Sequence, residues 1–298
     1  MIYNVTHTTT LFYSNLVRLA RFNLRLRPID WPGQTVSDYR LDVSPAPADI
    51  RQKSSPWLAN ETRLTLRDPI TRLSITSRFR ARVQPPAFDR AQAPSPSIAQ
   101  VRALAMGWPA VGPGSPASYL FASPIAAIWP GEIGAWGRQW LSDEAPVMQA
   151  AIALMQALHD EFAFDAASTS PDQPPIDAFR ARRGVCQDFT HVMICALRAI
   201  GLPAAYVSGY LRTIPPPGMP RLVGADMMHA WVALWCGPDL GWVGLDPTNA
   251  TLVTTDHIVV AMGRDYSDVA PLDGVFHGGA GQTMTVSADV EPVEEEVA

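Results

Sequence analysis

Apolar and polar residues alternate from Tyr3 to Tyr13, then in Arg21 to Arg27, Tyr39 to Val43, Arg63 to Arg67 and Arg72 to Val83, separated by turn-forming stretches such as PIDWPGQ and LRDP. Period-two alternation marks half-buried strands, so residues 1–85 are expected to form a β-rich domain, a sandwich or small barrel. QPPAFDRAQAPSPS and GPGSPAS then break the pattern, and 86–145 reads as a proline-rich linker with short helical pieces. After about residue 145 the period lengthens. APVMQAAIALMQALHDEF places apolar residues at 147, 148, 151, 152, 154, 155 and 158, an amphipathic helix. A second helix follows in VCQDFTHVMICALRAIG, with a stripe of Phe189, Val192, Met193, Ala196, Leu197 and Ile200 and a stop at Gly201 and Pro203. The segments AAYVSGYL, MHAWVALW, GWVGLDP, DHIVVAMG and TMTVSADV read as strands. Helices first and strands afterwards predict an α+β domain over 146–290, with 291–298 (EPVEEEVA closing) as an acidic disordered tail.

Composition narrows the class. Of 298 residues, 47% are hydrophobic and 17% charged, enough for a sizeable core. No run approaches the roughly 18 to 20 apolar residues of a membrane span, and the N-terminus lacks a signal peptide's basic-then-apolar layout. A cytoplasmic protein with no membrane partner is expected. The net charge of −5 hides 13 Lys+Arg against 6 Asp+Glu in residues 1–85 and 10 against 22 in the remainder. Arg78, Arg80 and Arg82 alternate with Phe79, Ala81 and Val83, so the basic excess reads as the wet face of a sheet, and no nucleic-acid partner is expected. Three cysteines, Cys186, Cys195 and Cys236, cannot all pair within one chain, and free thiols are expected.

Cys186 follows Gly184 at the start of the second helix, where unpaired N–H groups and the helix dipole favour an anion such as a thiolate. Its backbone N–H would also serve an oxyanion. From position alone, nucleophile and small core residue stand equal. Asp188 would oppose a thiolate if it faced the sulfur, but a first-turn carboxylate is more simply a dipole partner. His229 lies in an alternating strand with Trp231, Ala233 and Trp235, and a hairpin closed by residues 236–239 puts Asp246 opposite it. A two-residue register shift would keep both on one face. A base with its orienting carboxylate, plus a helix-N-terminal thiol, is the nucleophile, base and acid arrangement. A metal reading uses His191 and Cys195 one helical turn apart with Cys236. There is no CxxC or HExxH spacing, and Cys195 lies about 180° around the helix from Cys186. Cys195 and Cys236 are expected to be structural, with neither metal nor cofactor.

GVCQDFTH at 184–191, RAIGLPAAYVSGYL at 198–211, HAWV at 229–232, GWVGLDPTN at 241–249 and GRDYSDVAP at 263–271 resemble the bacterial transglutaminase-like proteins. YNVTHTTTLFYSN and NLRLRP resemble that family's β-rich N-terminal region, so the likeness spans nearly the whole chain. The resemblance implies a papain-like core, a helix carrying cysteine packed on an antiparallel sheet carrying histidine and aspartate. It implies Cys186 as nucleophile, His229 as general acid/base and Asp246 as orienter. Two departures stand out. SSPWLANETRLTL replaces the family's acidic residue and Gly-Asn pair, and DQPPIDAFRARRG lacks a threonine often found before the cysteine motif.

The expected chemistry is thiol acyl transfer on a peptide or protein amide, with hydrolysis favoured over transfer to an amine. A non-catalytic peptide-binding module on the same fold is the alternative of another class. No DxDxDG calcium loop is visible. RTIPPPGMPRLVGADMM could wall the cleft or be a passive connection. Trp231, Trp235 and Trp242 read as core more than as cleft walls, and Arg264 with Asp265 as a structural ion pair.

Overall fold

The computed structural model describes residues 1–86, 93–127, 131–166, 173–214, 226–279 and 281–293. The N-terminal strands are β1 (Ile2–Arg27), β2 (Gln34–Ser44), β3 (Asp49–Lys53), β4 (Asn60–Leu66) and β5 (Ile70–Val83). The two alternating runs at the start of the chain are one 26-residue strand, irregularly paired between Phe12 and Val17. β5 pairs with its first part, as in Val5 with Phe79, and β4 with its second, as in Phe22 with Leu64. β2 flanks β5 and β3 flanks β4, so the expected sandwich or barrel is one sheet. The two parts of β1 bury their apolar sets in different places: Tyr3 and Val5 enter a core with Tyr210, Ile258 and Val260, while Leu11, Val17, Phe22 and Leu24 share a core with Leu64, Leu73 and Ile75. Arg78, Arg80 and Arg82 face outward while Phe79, Ala81 and Val83 are buried, as their alternation requires.

The expected linker is packed structure. Its helix α1 (Ile98–Met106) begins in a capping box: the Ser97 hydroxyl accepts the Gln100 N–H while Gln100 Oε1 accepts the Ser97 N–H. Ile98, Val101, Leu120, and, in and after α2 (Glu132–Gly137), Ile133, Trp136 and Leu141 enter one core with α3 (Val147–Glu161). β6 (Ala163–Phe164), α4 (Pro175–Ala181) and β7 (Arg183–Gly184) lead into α5 (Cys186–Arg198), with β6 and β7 pairing in parallel.

α5 was expected to bury one stripe, yet every residue from Asp188 to Arg198 is buried. Such enclosure requires its polar side chains to be satisfied internally. Thr190 Oγ1 donates to the Cys186 carbonyl (2.7 Å), His191 Nε2 accepts the Tyr266 N–H (3.2 Å), and the Arg198 guanidinium donates to the carbonyls of Ala204, Phe121 and Arg264. Gly137 lets α2 approach closely, since a Cβ there would meet Ala196 Cβ at 2.9 Å. Gly201, at φ +81°, follows the helix in the left-handed conformation its sequence predicts.

The second sheet comprises β8 (Ala204–Leu211), β9 (Met228–Trp235), β10 (Trp242–Asp246), β11 (Thr251–Leu252) and β12 (His257–Gly263), ordered β11-β10-β9-β8-β12. The edge strand β12 is covered from the N-terminal part. Ile29 N donates to Val260 O, Leu58 bridges to Met262, and the Gln34 side chain exchanges two 2.8 Å bonds with the Val259 backbone. After the short α6 (Tyr266–Val269), β13 (Leu272–Gly278) and β14 (Gln282–Val293) return to the first sheet and run antiparallel to β1. Residues 272–290, expected within the helix-bearing part, pair with β1, and Ala288 and Val290 lie in a core shared by Tyr3 and Val5 with Phe189 and Val260. Of the expected tail, Glu291–Val293 belong to β14 and 294–298 lie outside the described residues. Among the described residues, no helix is long and apolar enough to cross a membrane.

Candidate active site

The turn before α5 is built around a missing side chain. Arg182, at φ +52°, closes α4 in the left-handed conformation, and Gly184 and an extended Val185 carry the chain into the helix. A Cβ on Gly184 would lie 2.5 Å from Asp188 Oδ2. Its absence lets the Asp188 carboxylate fold back and accept the Val185 N–H at 2.8 Å. Asp188 thus acts on the first turn as sequence reasoning expected. Cys186, half-buried at the first helical position, has a backbone N–H with no acceptor inside the helix.

His229 enters near the start of β9, paired with Gly209 of β8. Its Nε2 bonds to Asp246 Oδ2 at 2.7 Å, leaving Nδ1 as the ring's other nitrogen, and the Cys186 side chain lies near enough to act on the ring electrostatically. The hairpin is longer than expected: Trp235 pairs with Trp242, and the turn runs through Gly237 at φ +99° and Gly241 at φ +62°. The register is therefore offset by two residues from direct opposition, which preserves the shared face and lets the side chains meet diagonally.

Asp246 is fully buried and surrounded by donors. Oδ1 accepts the N–H groups of Thr248 (3.0 Å) and Asn249 (3.2 Å), an Asx-type turn that accounts for the DPTN stretch. Oδ2 accepts from Asn249 Nδ2 (2.7 Å) and also bonds His257 Nε2 (3.2 Å). Burial opposes the carboxylate's charge, but bonds from His229, His257 and Asn249 outweigh it and hold Asp246 well below the usual carboxylate range. Burial likewise opposes protonation of His229, yet the bond to Asp246 and the charges of Asp246 and Cys186 push its pKa up to about 10.

The predicted residues Cys186, His229 and Asp246 therefore come together. The set weighed as a zinc site does not: His191 is held by Tyr266, Cys195 is buried in α5, and the Cys236 thiol faces Met148 Sδ at 3.4 Å. Burial pushes the Cys195 thiol up to about 12. Among the described residues, the ligand-type side chains that converge are His229, Asp246 and His257, with nitrogen and oxygen atoms within 4.8 Å of one another. Trp231 and Trp235 are buried, as expected of core residues. Arg264 pairs with Asp268 (2.9 Å) rather than with Asp265, whose carboxylate instead accepts the Ile125 and Ser267 N–H groups. Sequence order favoured Asp265 as the adjacent partner, but it caps α6. Residues 215–225 of the loop considered as a cleft wall lie outside the described residues.

Sequence reasoning missed His257. It sits on β12, at the far edge of the sheet from β10, so strand adjacency does not bring it to Asp246. Gly209 makes the approach possible: a Cβ there would stand 2.2 Å from the Ile258 carbonyl and 2.4 Å from Trp231. Without it, Trp231 and β12 close over β8. A glycine within an otherwise apolar strand was the available signal.

The transglutaminase-like superfamily model matches residues 135–247, and that of the bacterial transglutaminase-like N-terminal region matches 3–82. An uncharacterised protein of Mycobacterium tuberculosis is 35% identical over 300 residues, spanning 98% of this chain and 93% of its own. A protein-glutamine gamma-glutamyltransferase of Pseudomonas aeruginosa is 36% identical over 100 residues, covering 32% of this chain and 15% of that protein. A solved structure from Cytophaga hutchinsonii, described as a candidate cysteine protease, superposes with a TM-score of 0.76 at 19% identity, over 99% of this chain and 92% of that one. That likeness extends to the fold of the whole chain.

Proposed function

Because the chain belongs to the transglutaminase-like superfamily and carries the bacterial N-terminal region, we propose that it is a cysteine-dependent acyl-transfer enzyme acting on peptide or related amide bonds through Cys186, His229 and Asp246. The observation that carries this reading is the His229 ring, held at Nε2 by a fully buried carboxylate and lying near Cys186 at a helix N-terminus. The Cys186 sulfur attacks the amide carbonyl, with the Cys186 N–H available to the developing oxyanion. Protonated His229 gives its proton to the departing amine as the C–N bond breaks, leaving a thioester. His229 then takes a proton from water, which attacks the thioester; as the C–S bond breaks the acid leaves, and the Cys186 thiolate and protonated His229 are restored. Asp246 keeps the imidazole oriented and stabilises its charged form.

A second reading, transfer of the acyl group to an amine in place of water, is supported by the similarity to the Pseudomonas aeruginosa gamma-glutamyltransferase. The two share every step up to the thioester. A screen of peptides with and without an amine donor, reading cleavage, ammonia release and amine incorporation separately, distinguishes them. Activity in the wild type that vanishes in Cys186→Ala supports the proposal. Turnover retained by Cys186→Ala refutes it.

A further inference from the structure

Asp246 Oδ2 is shared by His229 Nε2 at 2.7 Å, Asn249 Nδ2 at 2.7 Å and His257 Nε2 at 3.2 Å. The second imidazole is as deliberately placed as the first. His257 is buried, and its ring stands edge-on to Trp231 at 5.2 Å between centroids and 80° between planes. At the other end of the ring, Nδ1 accepts the Thr254 backbone N–H at 3.2 Å. A main-chain N–H can only donate, so this bond keeps the Nδ1 lone pair free and puts the ring's proton on Nε2. That proton points at Asp246. The tautomer is thus set by the turn entering β12, not by the carboxylate it serves.

The position of β12 is itself fixed from outside the second sheet. Two residues beyond His257, the Gln34 side chain pairs with both the N–H and the carbonyl of Val259, filling the place of a neighbouring strand. Gly209 removes the side chain that would hold β12 and Trp231 apart. Each of these features bears on where Nε2 of His257 points.

We propose that His257 is a positioning residue for the reaction: as an Nε2–H donor it holds the Asp246 carboxylate ionised and oriented toward His229, forming a hydrogen-bonded chain His257–Asp246–His229 that leads to Cys186. The inference rests on the proposed roles of Cys186, His229 and Asp246, and assigns the next group outward. Oδ1 is already fixed by the Thr248 and Asn249 N–H groups and Oδ2 by His229 and the Asn249 amide, and the bond from His257 adds the donor on the side facing β12.

The test uses the full-length protein and two variants. Glutamine at 257 can place an N–H near the position of Nε2, whereas leucine fills similar space without a donor. The readouts are the rate of Cys186 alkylation by iodoacetamide between pH 5 and 9, which needs no substrate, and kcat and KM on any peptide found active. His257→Leu should slow alkylation at neutral pH and lower kcat by about 10- to 100-fold with KM nearly unchanged, the range typical of outer-shell hydrogen-bond partners, and His257→Gln should restore most of it. A purely structural histidine would instead lower Tm in both variants while leaving the folded fraction's alkylation profile at the wild-type level, and that result overturns the proposal. Nitrogen-15 NMR of the wild type gives an answer independent of variant folding: a proton on Nε2 and an accepting Nδ1 support the assignment, and a proton on Nδ1 overturns it. His229→Ala serves as the reference arm. If wild type and His229→Ala alkylate equally, the underlying triad reading fails; if they differ while His257→Leu matches wild type, only the role of His257 fails.

Discussion

Replacing Asp246 with asparagine tests the site most directly, because the side chain keeps its shape and loses only charge and acceptor capacity. Five donors surround the carboxylate: the N–H groups of Thr248 and Asn249 at Oδ1, and His229, His257 and the Asn249 amide at Oδ2. An amide has one accepting oxygen, so its NH2 must face one of these groups. Turned toward Oδ1's partners, it leaves two main-chain donors without an acceptor. Turned the other way, it forces His229 to accept at Nε2 and carry its proton on Nδ1, facing Cys186. At about 1–3 kcal/mol for each buried donor left unpaired, the first orientation costs roughly 2–6 kcal/mol of stability. The second strands the His257 Nε2–H and the Asn249 amide in the same way, and also gives an imidazole in the wrong tautomer, for which a loss on the order of 10⁴ in kcat is known in serine proteases. Urea unfolding reads the stability cost common to both, and either way alkylation of Cys186 at neutral pH should fall sharply. An Asp246→Asn protein that unfolds within 0.5 kcal/mol of wild type and alkylates at the same rate would refute the reasoning.

Further outcomes follow from other parts of the molecule. Gly184→Ala should cost about 1–3 kcal/mol by overpacking against Asp188, and should slow Cys186 alkylation as the Val185–Asp188 bond is lost; thermal melts and alkylation rates check both. Gln34→Leu strands the Val259 N–H and carbonyl and should lower stability by about 2–4 kcal/mol in urea titrations. Burial pushes His7 and His191 down to about 4, so below pH 6.5 the unfolded chain takes up protons that the folded one refuses. Stability should therefore fall between pH 6.5 and 4, by on the order of 3 kcal/mol for each ring, and His7→Leu should flatten that slope in urea midpoints measured across the range. For His229, raised to about 10, the sign reverses: its contribution is complete below pH 6.5 and is lost as pH rises through about 10.

Local rules sufficed where the interaction was local. Gly201 stops α5, Arg78, Arg80 and Arg82 line a wet face, and His229 shares a face with Asp246 because strand parity survives a two-residue slip. The slip itself was hidden in CGPDLG, where two glycines at positive φ lengthen the turn beyond the shortest hairpin. Burial of α5 on all sides was hidden because Thr190, His191 and Arg198 interrupt its apolar pattern, and only tertiary partners make them compatible with a core. The packing of 98–141 carried no period, since short helices between prolines place their apolar residues irregularly. His257 and the return of β13 and β14 depend on contacts across strand order or on pairings such as Ile2 with Val293 and Leu24 with Leu272, between opposite ends of the sequence, which leave no mark on neighbouring positions.

That return has a consequence for how the protein is made. Ile2 pairs with Val293 and Leu24 with Leu272, so one flank of β1 lacks its partner until residues 272–293 have been made. Until then the nascent chain carries a long open strand edge, a place where another chain can dock by strand addition. The first sheet is thus completed only after the second, and a ribosome stalled after α6 would release a chain with Cys186, His229 and Asp246 all synthesised but β1 still bare along that flank.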